Sequence, residues 1–188
     1  LAFRTPASQL QNEFLRDERG YSASMITLFT VVTATPIGLG VFVGGRLADE
    51  HGRRLVGAVA LVTGTVFVVV SFLTHGVAMW VWQLIGLIVG AATVPALGVY
   101  GPELFGTRSR GTANGIVTLA GVLGSTVGLL AASALSDGIG LGKSLAIFAA
   151  GPAIVAALVV LAYPETAHLE LEAINPGDAR GAEPDDAR

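Results

Sequence analysis

Residues 55–73 read LVGAVALVTGTVFVVVSFL, a run without a single Asp, Glu, Lys or Arg. This run opens a longer charge-free stretch, 55–102, and three further charge-free stretches cover residues 21–45, 111–136 and 144–164. A helix needs about 20 mainly apolar residues to cross the hydrocarbon core of a bilayer. Each shorter stretch is therefore long enough for one transmembrane helix, and the longest is long enough for two. The sequence predicts an all-α, polytopic membrane bundle of five transmembrane helices. We place them near residues 21–45, 55–73, 77–100, 111–135 and 142–163.

The composition also indicates a membrane protein. Hydrophobic residues make up 52% of the chain and charged residues 13%, whereas charged residues make up roughly 25% of a soluble domain. These values argue against a soluble domain of this length. The chain has no cysteine, which removes disulfides, thiolate metal sites and thiol nucleophiles from consideration.

Basic residues are distributed unequally among the predicted loops. The loop after the first span contains three arginines and the loop after the third contains two, whereas the other two loops together contain only Lys143. Because Lys and Arg are enriched in cytoplasmic loops, we expect the first and third loops and the C-terminus on the cytoplasmic side. The expected location is the plasma (inner) membrane, with the chain integral to it.

The same patterns divide the chain into three regions. We expect residues 1–20 to form an extracytoplasmic loop with the end of a truncated helix, and Gly20 to be a helix stop or part of that loop. Residues 21–163 are expected to form the five-helix bundle. Residues 164–188 are expected to form a cytoplasmic tail, which is partly disordered because Pro, Gly, Asp and Ala dominate its end.

Proline and glycine predict how the spans bend and pack. Pro36 lies inside the first span, where the missing backbone N–H tends to kink a helix. Small residues four positions apart let two membrane helices approach closely. The pairs with this spacing are Gly40 with Gly44, Gly86 with Gly90, and Gly124 with Gly128.

The first predicted cytoplasmic loop carries a recognisable motif. Residues 45–54 read Gly-Arg-Leu-Ala-Asp-Glu-His-Gly-Arg-Arg. Gly52 fits a tight turn between antiparallel helices, and Asp49 is placed to accept hydrogen bonds near a helix N-terminus. This pattern closely resembles the Gly-x-x-x-Asp-x-x-Gly-Arg-Arg signature of the major facilitator superfamily.

Two further motifs agree with that resemblance. Residues 100–111 read Tyr-Gly-Pro-Glu-Leu-Phe-Gly-Thr-Arg-Ser-Arg-Gly and resemble the Glu-Leu-Phe-Pro-Thr-x-x-Arg-Gly loop between the tenth and eleventh helices of sugar-porter-like members. Residues 164–166 are similar to the Pro-Glu-Thr that follows their twelfth helix. Gly106 replaces the usual proline, and Leu97-Gly98 stands where sugar transporters tend to have Pro-Trp. Despite these two departures, the motifs together make the chain resemble a sugar-porter-like or metabolite:proton symporter-like member.

The resemblance implies that the five spans are the eighth to twelfth helices of a C-terminal half. The N-terminal half of the same protein is then a missing partner, together with the seventh helix. The implied function is secondary active transport of a small solute by alternating access, with proton coupling left open. Apart from Lys143 at the start of the fifth, no Asp, Glu, Lys, Arg or His falls within a predicted span, so a proton carrier is expected in the missing half. Expected partners are the solute and the lipid bilayer; we expect no nucleic acid, no cofactor and no metal.

The predicted third span, 77–100, carries the candidate solute-binding residues. Gln83, Gly86, Gly90 and Thr93 follow one helical face, and the corresponding helix lines the cavity in family members. The alternative is structural: Gln83 and Thr93 would hydrogen-bond a neighbouring helix instead.

Charged residues at the predicted cytoplasmic helix ends are candidates for a gate. In family members the matching residues form a charge cluster, and Arg can pair bidentately with carboxylates. The alternative is a set of separate surface ion pairs together with the ordinary excess of cytoplasmic arginine. The gate candidates are Asp49, Arg53, Arg54, Glu103, Arg108, Arg110 and Glu165.

Two other functional classes compete with transport. A membrane-embedded enzyme would need a catalytic set such as His-Glu-x-x-His or paired intramembrane carboxylates, and the predicted spans contain neither. We therefore predict that the chain is not an enzyme and has no catalytic residues. A receptor-like or signalling relative would keep the fold without transport, and solute flux separates it from a transporter.

Overall fold

The computed structural model describes residues 3–98 and 110–162, and all regular structure in these ranges is helical. Five helical stretches are long and apolar enough to cross a membrane, which confirms the five predicted spans. They are Ala23–His51, Arg53–Leu73, Gly76–Leu97, Gly111–Ile139 and Leu141–Ala162. The predicted tail 164–188 lies outside the described residues, as do positions 100–109 of the second motif.

Several spans consist of more than one helix. The helices of the first region are α1 (Arg4–Gln9), α2 (Gln11–Glu13) and a π-helical turn (Phe14–Glu18). The first span consists of α3 (Ala23–Ala34) and α4 (Ile37–His51), and the second is α5 (Arg53–Leu73). The third consists of α6 (Gly76–Ala91) and α7 (Thr93–Leu97), and the fourth is α8 (Arg110–Ile139). The fifth consists of α9 (Leu141–Phe148) and α10 (Ala150–Ala162).

The segment before Gly20 differs from the sequence prediction, because it is helical and packs into the bundle instead of forming a loop. Phe14 and Leu15 are each 1% exposed, and the Phe14 ring lies edge-to-face against Phe72 of α5, with 4.8 Å between ring centroids. Mixed charge on the outer face of this segment led to the loop prediction, although its other face is apolar. Gly20, at φ +65°, ends the helical segment as predicted.

Three spans are broken near a proline. The first breaks at Thr35 and Pro36, where the kink was predicted, and the third and fifth break at Ala92 and Ala149. Pro95 and Pro152 follow the last two breaks within the first turn of the next helix. A proline there costs little, because the first N–H groups of a helix have no partner within it. Of these three breaks, only the first was predicted from the sequence.

Glycines bring α4, α5 and α6 into backbone contact. A Cβ atom on Gly40 would overlap the backbone carbonyl of Ile88, and one on Gly64 would lie 2.6 Å from the Gly90 Cα atom. Without side chains at these positions, the helices approach closely and gain van der Waals contact, which holds membrane helices together. A Cβ on Gly124 would meet nothing within 4 Å among the described residues, so close packing at Gly124 stays a prediction.

The turns alternate between the two ends of the bundle. Gly52, at φ +94°, makes the predicted tight turn between α4 and α5. At the opposite end the Arg19 guanidinium donates to the carbonyl oxygens of Phe72 (2.7 Å) and Thr74 (3.1 Å) and contacts His75 Nε2 at 2.8 Å. The Glu18 carboxylate there accepts a hydrogen bond from the Leu141 backbone N–H. We call these the Gly52 end and the His75 end.

We predict that replacing Gly40 by alanine destabilises the protein, because the new methyl group overlaps the Ile88 carbonyl. Overpacking of this kind costs about 1–3 kcal/mol, which outweighs the roughly 1 kcal/mol that alanine adds in helix propensity. Gly38→Ala is the matched control, since a Cβ atom there meets nothing within 4 Å. Thermal unfolding in lipid nanodiscs measures both variants. Equal midpoints for the two would show that the glycine contact is unimportant.

Candidate functional site

A cavity of about 700 Å³ lies between the broken spans, α5 and the N-terminal helices. Ligand pockets for small molecules have volumes of roughly 300–1,000 Å³, so the cavity fits a small organic solute. Its wall combines apolar side chains with hydroxyl and amide groups. The described polar residues that line it are Arg4, Ser8, Gln11, Asn12, Thr30, Thr33, Thr65, Gln83 and Thr93.

All three helix breaks lie at this cavity. The lining residues next to them are Ala34 and Ile37 at the first break, Ala91 and Thr93 at the second, and Gly151 and Pro152 after the third. Interrupted helices leave backbone polar groups without intrahelical partners. In a membrane such groups are tolerated where they face a cavity or other protein. The backbone polar groups at the three breaks therefore lie beside the cavity.

Gln83 is buried, with 3% of its surface exposed. Its Oε1 atom accepts a hydrogen bond from Ser71 Oγ at 2.6 Å, and its Nε2 atom donates to Gln11 Oε1 at 3.1 Å. Gln83 thus links α6 to α5 and α2 and also lines the cavity. The structural role weighed for Gln83 from the sequence is thus seen, whereas solute binding by Gln83 stays a prediction.

The other three predicted residues also line the cavity, but they differ in their packing. A Cβ on Gly86 would lie 2.9 Å from the backbone nitrogen of Val68, whereas one on Gly90 would meet only the Gly64 Cα, at 3.9 Å. Thr93 Oγ1 donates to the Gly90 carbonyl at 2.7 Å across the helix break. The structure thus brings all four residues to one wall, while their binding of solute stays a prediction.

Arg4 is an ionisable residue that lies in α1, outside the five spans, and its side chain is exposed. It lines the cavity, and its neighbour Thr5 donates a hydrogen bond to Ser125 Oγ at 3.1 Å. Ser125 lies midway along α8. The expectation about ionisable residues concerned only the predicted spans, and α1 lies outside the four charge-free stretches that define them.

A helical pattern in the first region could have identified these missed residues. Arg4, Ser8 and Gln11 follow each other at i, i+4 and i+7, which places them on one face of a helix. Phe3, Ala7 and Phe14 form the apolar side and belong to the buried core cluster. Reading the segment as a helix would have predicted a polar face, although not the cavity that it borders.

The predicted gate lies mostly outside the described residues. Glu103, Arg108 and Glu165 are not described, and the side chain of Arg110 is not described either. Asp49 is exposed in the last turn of α4, and Arg53 and Arg54 are half-buried at the start of α5. These three share the Gly52 end, and their role as a gate stays a prediction.

Within α4 an ion pair joins Arg46 and Glu50, with 3.5 Å between Nε and Oε1. Both side chains are mostly exposed, at 75% and 57%. An exposed pair one helical turn apart adds little stability.

The match to a protein-family model decides what this helical bundle is. Residues 1–182 match the model of the Major Facilitator Superfamily. The chain belongs to the major facilitator superfamily. A search of curated proteins found no match. The superfamily consists of membrane transporters, so the protein is integral to a membrane and has a general role in transmembrane transport. The family predicted from the three motifs is confirmed.

We predict that Gly86→Ala destabilises this superfamily member and that Gly90→Ala leaves its stability nearly unchanged. Alanine at position 86 pushes against the backbone of α5 and should lower the thermal midpoint, because that backbone cannot move aside easily. Alanine at position 90 makes an ordinary contact, so the variant should fold with nearly unchanged stability and a narrower cavity. Thermal unfolding and purification yield measure the difference. A larger loss at position 90 than at 86 would contradict the packing described here.

Proposed function

We propose that the protein is a secondary active transporter that moves a small solute by alternating access, with the solute bound in the cavity. The observation that carries this proposal is that three broken spans meet at one cavity with polar walls. Transporters commonly bind substrate near the bilayer midplane between discontinuous helices. The hydrogen bond from Thr5 to the middle of α8 supports that height for the cavity.

The breaks also supply a means of movement. A helix bends easily where its hydrogen-bond ladder is interrupted, and alternating access requires one group of helices to rock or bend against another. α3 and α4 are joined at Pro36, so the two halves of the first span can change angle without unwinding. Bending at this position would alter the cavity wall directly, since Ala34 and Ile37 are part of it.

Gln83 is proposed to bind the solute together with Gly86, Gly90 and Thr93. The Ser71 and Gln11 contacts hold the Gln83 amide in one position, and a preorganised group loses little entropy when it binds. One N–H of the Gln83 amide donates to Gln11, which leaves the second for the solute. Gly86 and Gly90 have no side chains, so they leave room for a solute beside that amide.

The finer family features are also part of the proposal. The three motifs support a C-terminal half that works with an N-terminal half of the same protein, of sugar-porter-like or metabolite:proton symporter-like type. Proton coupling would then use a carboxylate of the other half. The seven charged residues named from the sequence would form the cytoplasmic gate, in which several weak ion pairs break together when the inside opens.

A receptor-like relative of the same fold is the second candidate, and solute flux distinguishes it. A binding solute is first identified as one that raises the thermal midpoint of the protein. Proteoliposomes that contain the full-length protein should then accumulate this solute. Binding without accumulation would support the receptor and contradict the transporter.

We predict that Gln83→Ala raises the apparent KM for that solute by about 5- to 20-fold, the effect of losing one or two hydrogen bonds. Ser144→Ala is the matched control. Ser144 is also fully buried and donates an interhelical hydrogen bond, to the Ala132 carbonyl at 2.8 Å, but it does not line the cavity. Uptake kinetics at equal protein content measure both. If the two variants change KM equally, or if Gln83→Ala changes only the yield, Gln83 does not bind solute.

We predict that single cysteines at the two ends of the bundle label from opposite sides of the membrane. The chain has no native cysteine, so Ser136→Cys near the His75 end and His51→Cys at the Gly52 end give unambiguous signals. The arginine distribution puts the Gly52 end in the cytoplasm. A membrane-impermeant maleimide added to intact cells should therefore label position 136 and spare position 51. The reverse pattern would show that the proposed orientation is wrong.

A further inference from the structure

We propose that Arg19 and the turn between α5 and α6 form a proton-sensitive latch at the His75 end, closed while His75 is neutral and released when His75 is protonated. The latch goes beyond the transport function proposed above, because it assigns a pH response to residues that do not line the cavity. The observation that carries it is the contact of 2.8 Å between Arg19 Nη1 and His75 Nε2.

The contact between Arg19 and His75 fixes the protonation state of the imidazole. An arginine guanidinium has only N–H donors and stays charged, so His75 Nε2 accepts the hydrogen bond. An accepting Nε2 carries no proton, which leaves His75 neutral with its proton on Nδ1. Protonation of His75 would put a second donor and a second positive charge in place of the acceptor. The contact and a protonated His75 therefore exclude each other.

The Arg19 guanidinium is also held by groups that do not titrate. Its Nη2 atom donates to the carbonyl oxygens of Phe72 and Thr74, and its central carbon lies 4.5 Å from the centre of the Phe14 ring. The two carbonyls belong to the C-terminal end of α5, where a positive charge is favourable. Arg19 therefore cannot retreat from a protonated His75 without losing these contacts. His75 itself is exposed, so protons reach it directly from solution.

The latch fastens a segment that forms part of the cavity wall. Ser8 and Gln11 line the cavity, and the helical segment that carries them ends beside Arg19. One residue earlier, the Glu18 carboxylate accepts a hydrogen bond from the Leu141 N–H at the start of α9, where the helix dipole favours an anion. Two turns of the bundle are thus fastened to the end of this segment. Release of Arg19 removes one of the two fastenings and loosens the outer end of the cavity wall.

Other titratable groups belong to the elements that pack around the turn. Glu18 contacts the Leu141 N–H, and Tyr21 accepts a hydrogen bond from Trp80 Nε1 at 3.1 Å. No ion pair between His75 and an Asp or Glu carboxylate is seen among the described residues, so no such contact offsets the charge of a protonated His75. The remaining groups are Arg16 and Asp17 in the π-helical turn, Asp137 near the end of α8 and Lys143 in α9.

The direction of the pH response follows from the number of bound protons. The closed latch holds neutral His75 and the released latch binds one proton more, so acid favours release and base favours closure. Histidine is the side chain that ordinarily changes charge between about pH 5 and pH 8, which sets the range for measurement. Loss of one charge-assisted hydrogen bond shifts a conformational equilibrium by about tenfold or more.

Spin labels on the two sides of the latch test the proposal. The chain has no native cysteine, so labels at Asp17→Cys and Val77→Cys report the distance between the π-helical turn and the start of α6. Both positions are exposed. For the full chain in lipid nanodiscs we expect one short distance at about pH 8 and a second, longer one at about pH 5. The ratio of released to closed molecules should rise about tenfold between them. An unchanged distance distribution overturns the latch, because the His75 ring then turns away alone while the carbonyls still hold Arg19.

Histidine variants test whether His75 is the group that responds. His75→Gln keeps an acceptor for Arg19 and does not titrate, so the short distance should persist at both pH values. His75→Ala has no acceptor, so both distances should be present at both pH values. His51→Gln is the matched control, because His51 is an exposed histidine at the Gly52 end, and this variant should respond like the wild type. A pH response that persists in His75→Gln, or one that disappears in His51→Gln, overturns the assignment.

The latch and the transport function fail separately. Solute flux plays no part in the distance measurements, so an unchanged distance leaves the transport proposal standing. Absence of flux from proteoliposomes would contradict the transporter and leave a measured pH response of the latch in place.

Discussion

The backbone contact among α4, α5 and α6 is the constraint on which the rest of this bundle depends. Gly40 accommodates the Ile88 carbonyl, and Gly64 accommodates the Gly90 Cα atom. In lipid no hydrophobic effect drives helices together, so such close contact provides much of the association energy. It also positions the face of α6 that carries Gln83 against α5, where Ser71 fixes the amide. The helix packing thus also sets the position of Gln83, the candidate binding residue.

A second constraint explains where the helices break. Backbone polar groups must find partners within a membrane, and irregular backbone survives only against protein or a water-filled cavity. The breaks at Pro36, Ala92 and Ala149 all lie at the cavity, where hydroxyl side chains and water can satisfy the released groups. The cavity therefore makes the interruptions tolerable, because the released backbone groups can face it.

In residues 3–20 the charge pattern predicted the wrong local structure. The charges of this region, such as Arg16 and Asp17, predicted a loop, but they lie on the exposed side of a helical segment whose opposite face includes the buried Phe14 and Leu15. Charge counts ignore which face a residue occupies. The same limit applies to the gate, because ion pairs between distant loops depend on which helix ends meet.

The sequence by itself determined the number of spans, the all-helical class and the superfamily, because charge-free length and motif letters are local properties of the chain. It also indicated Gln83, Gly86, Gly90 and Thr93 as one face of a helix, since helical periodicity is local as well. Only the tertiary structure decided that Arg4 and Gln11 share a cavity with that face. Residues so far apart in sequence meet through the packing of α1 on α8 and of α6 on α5, and no local pattern encodes which helices become neighbours.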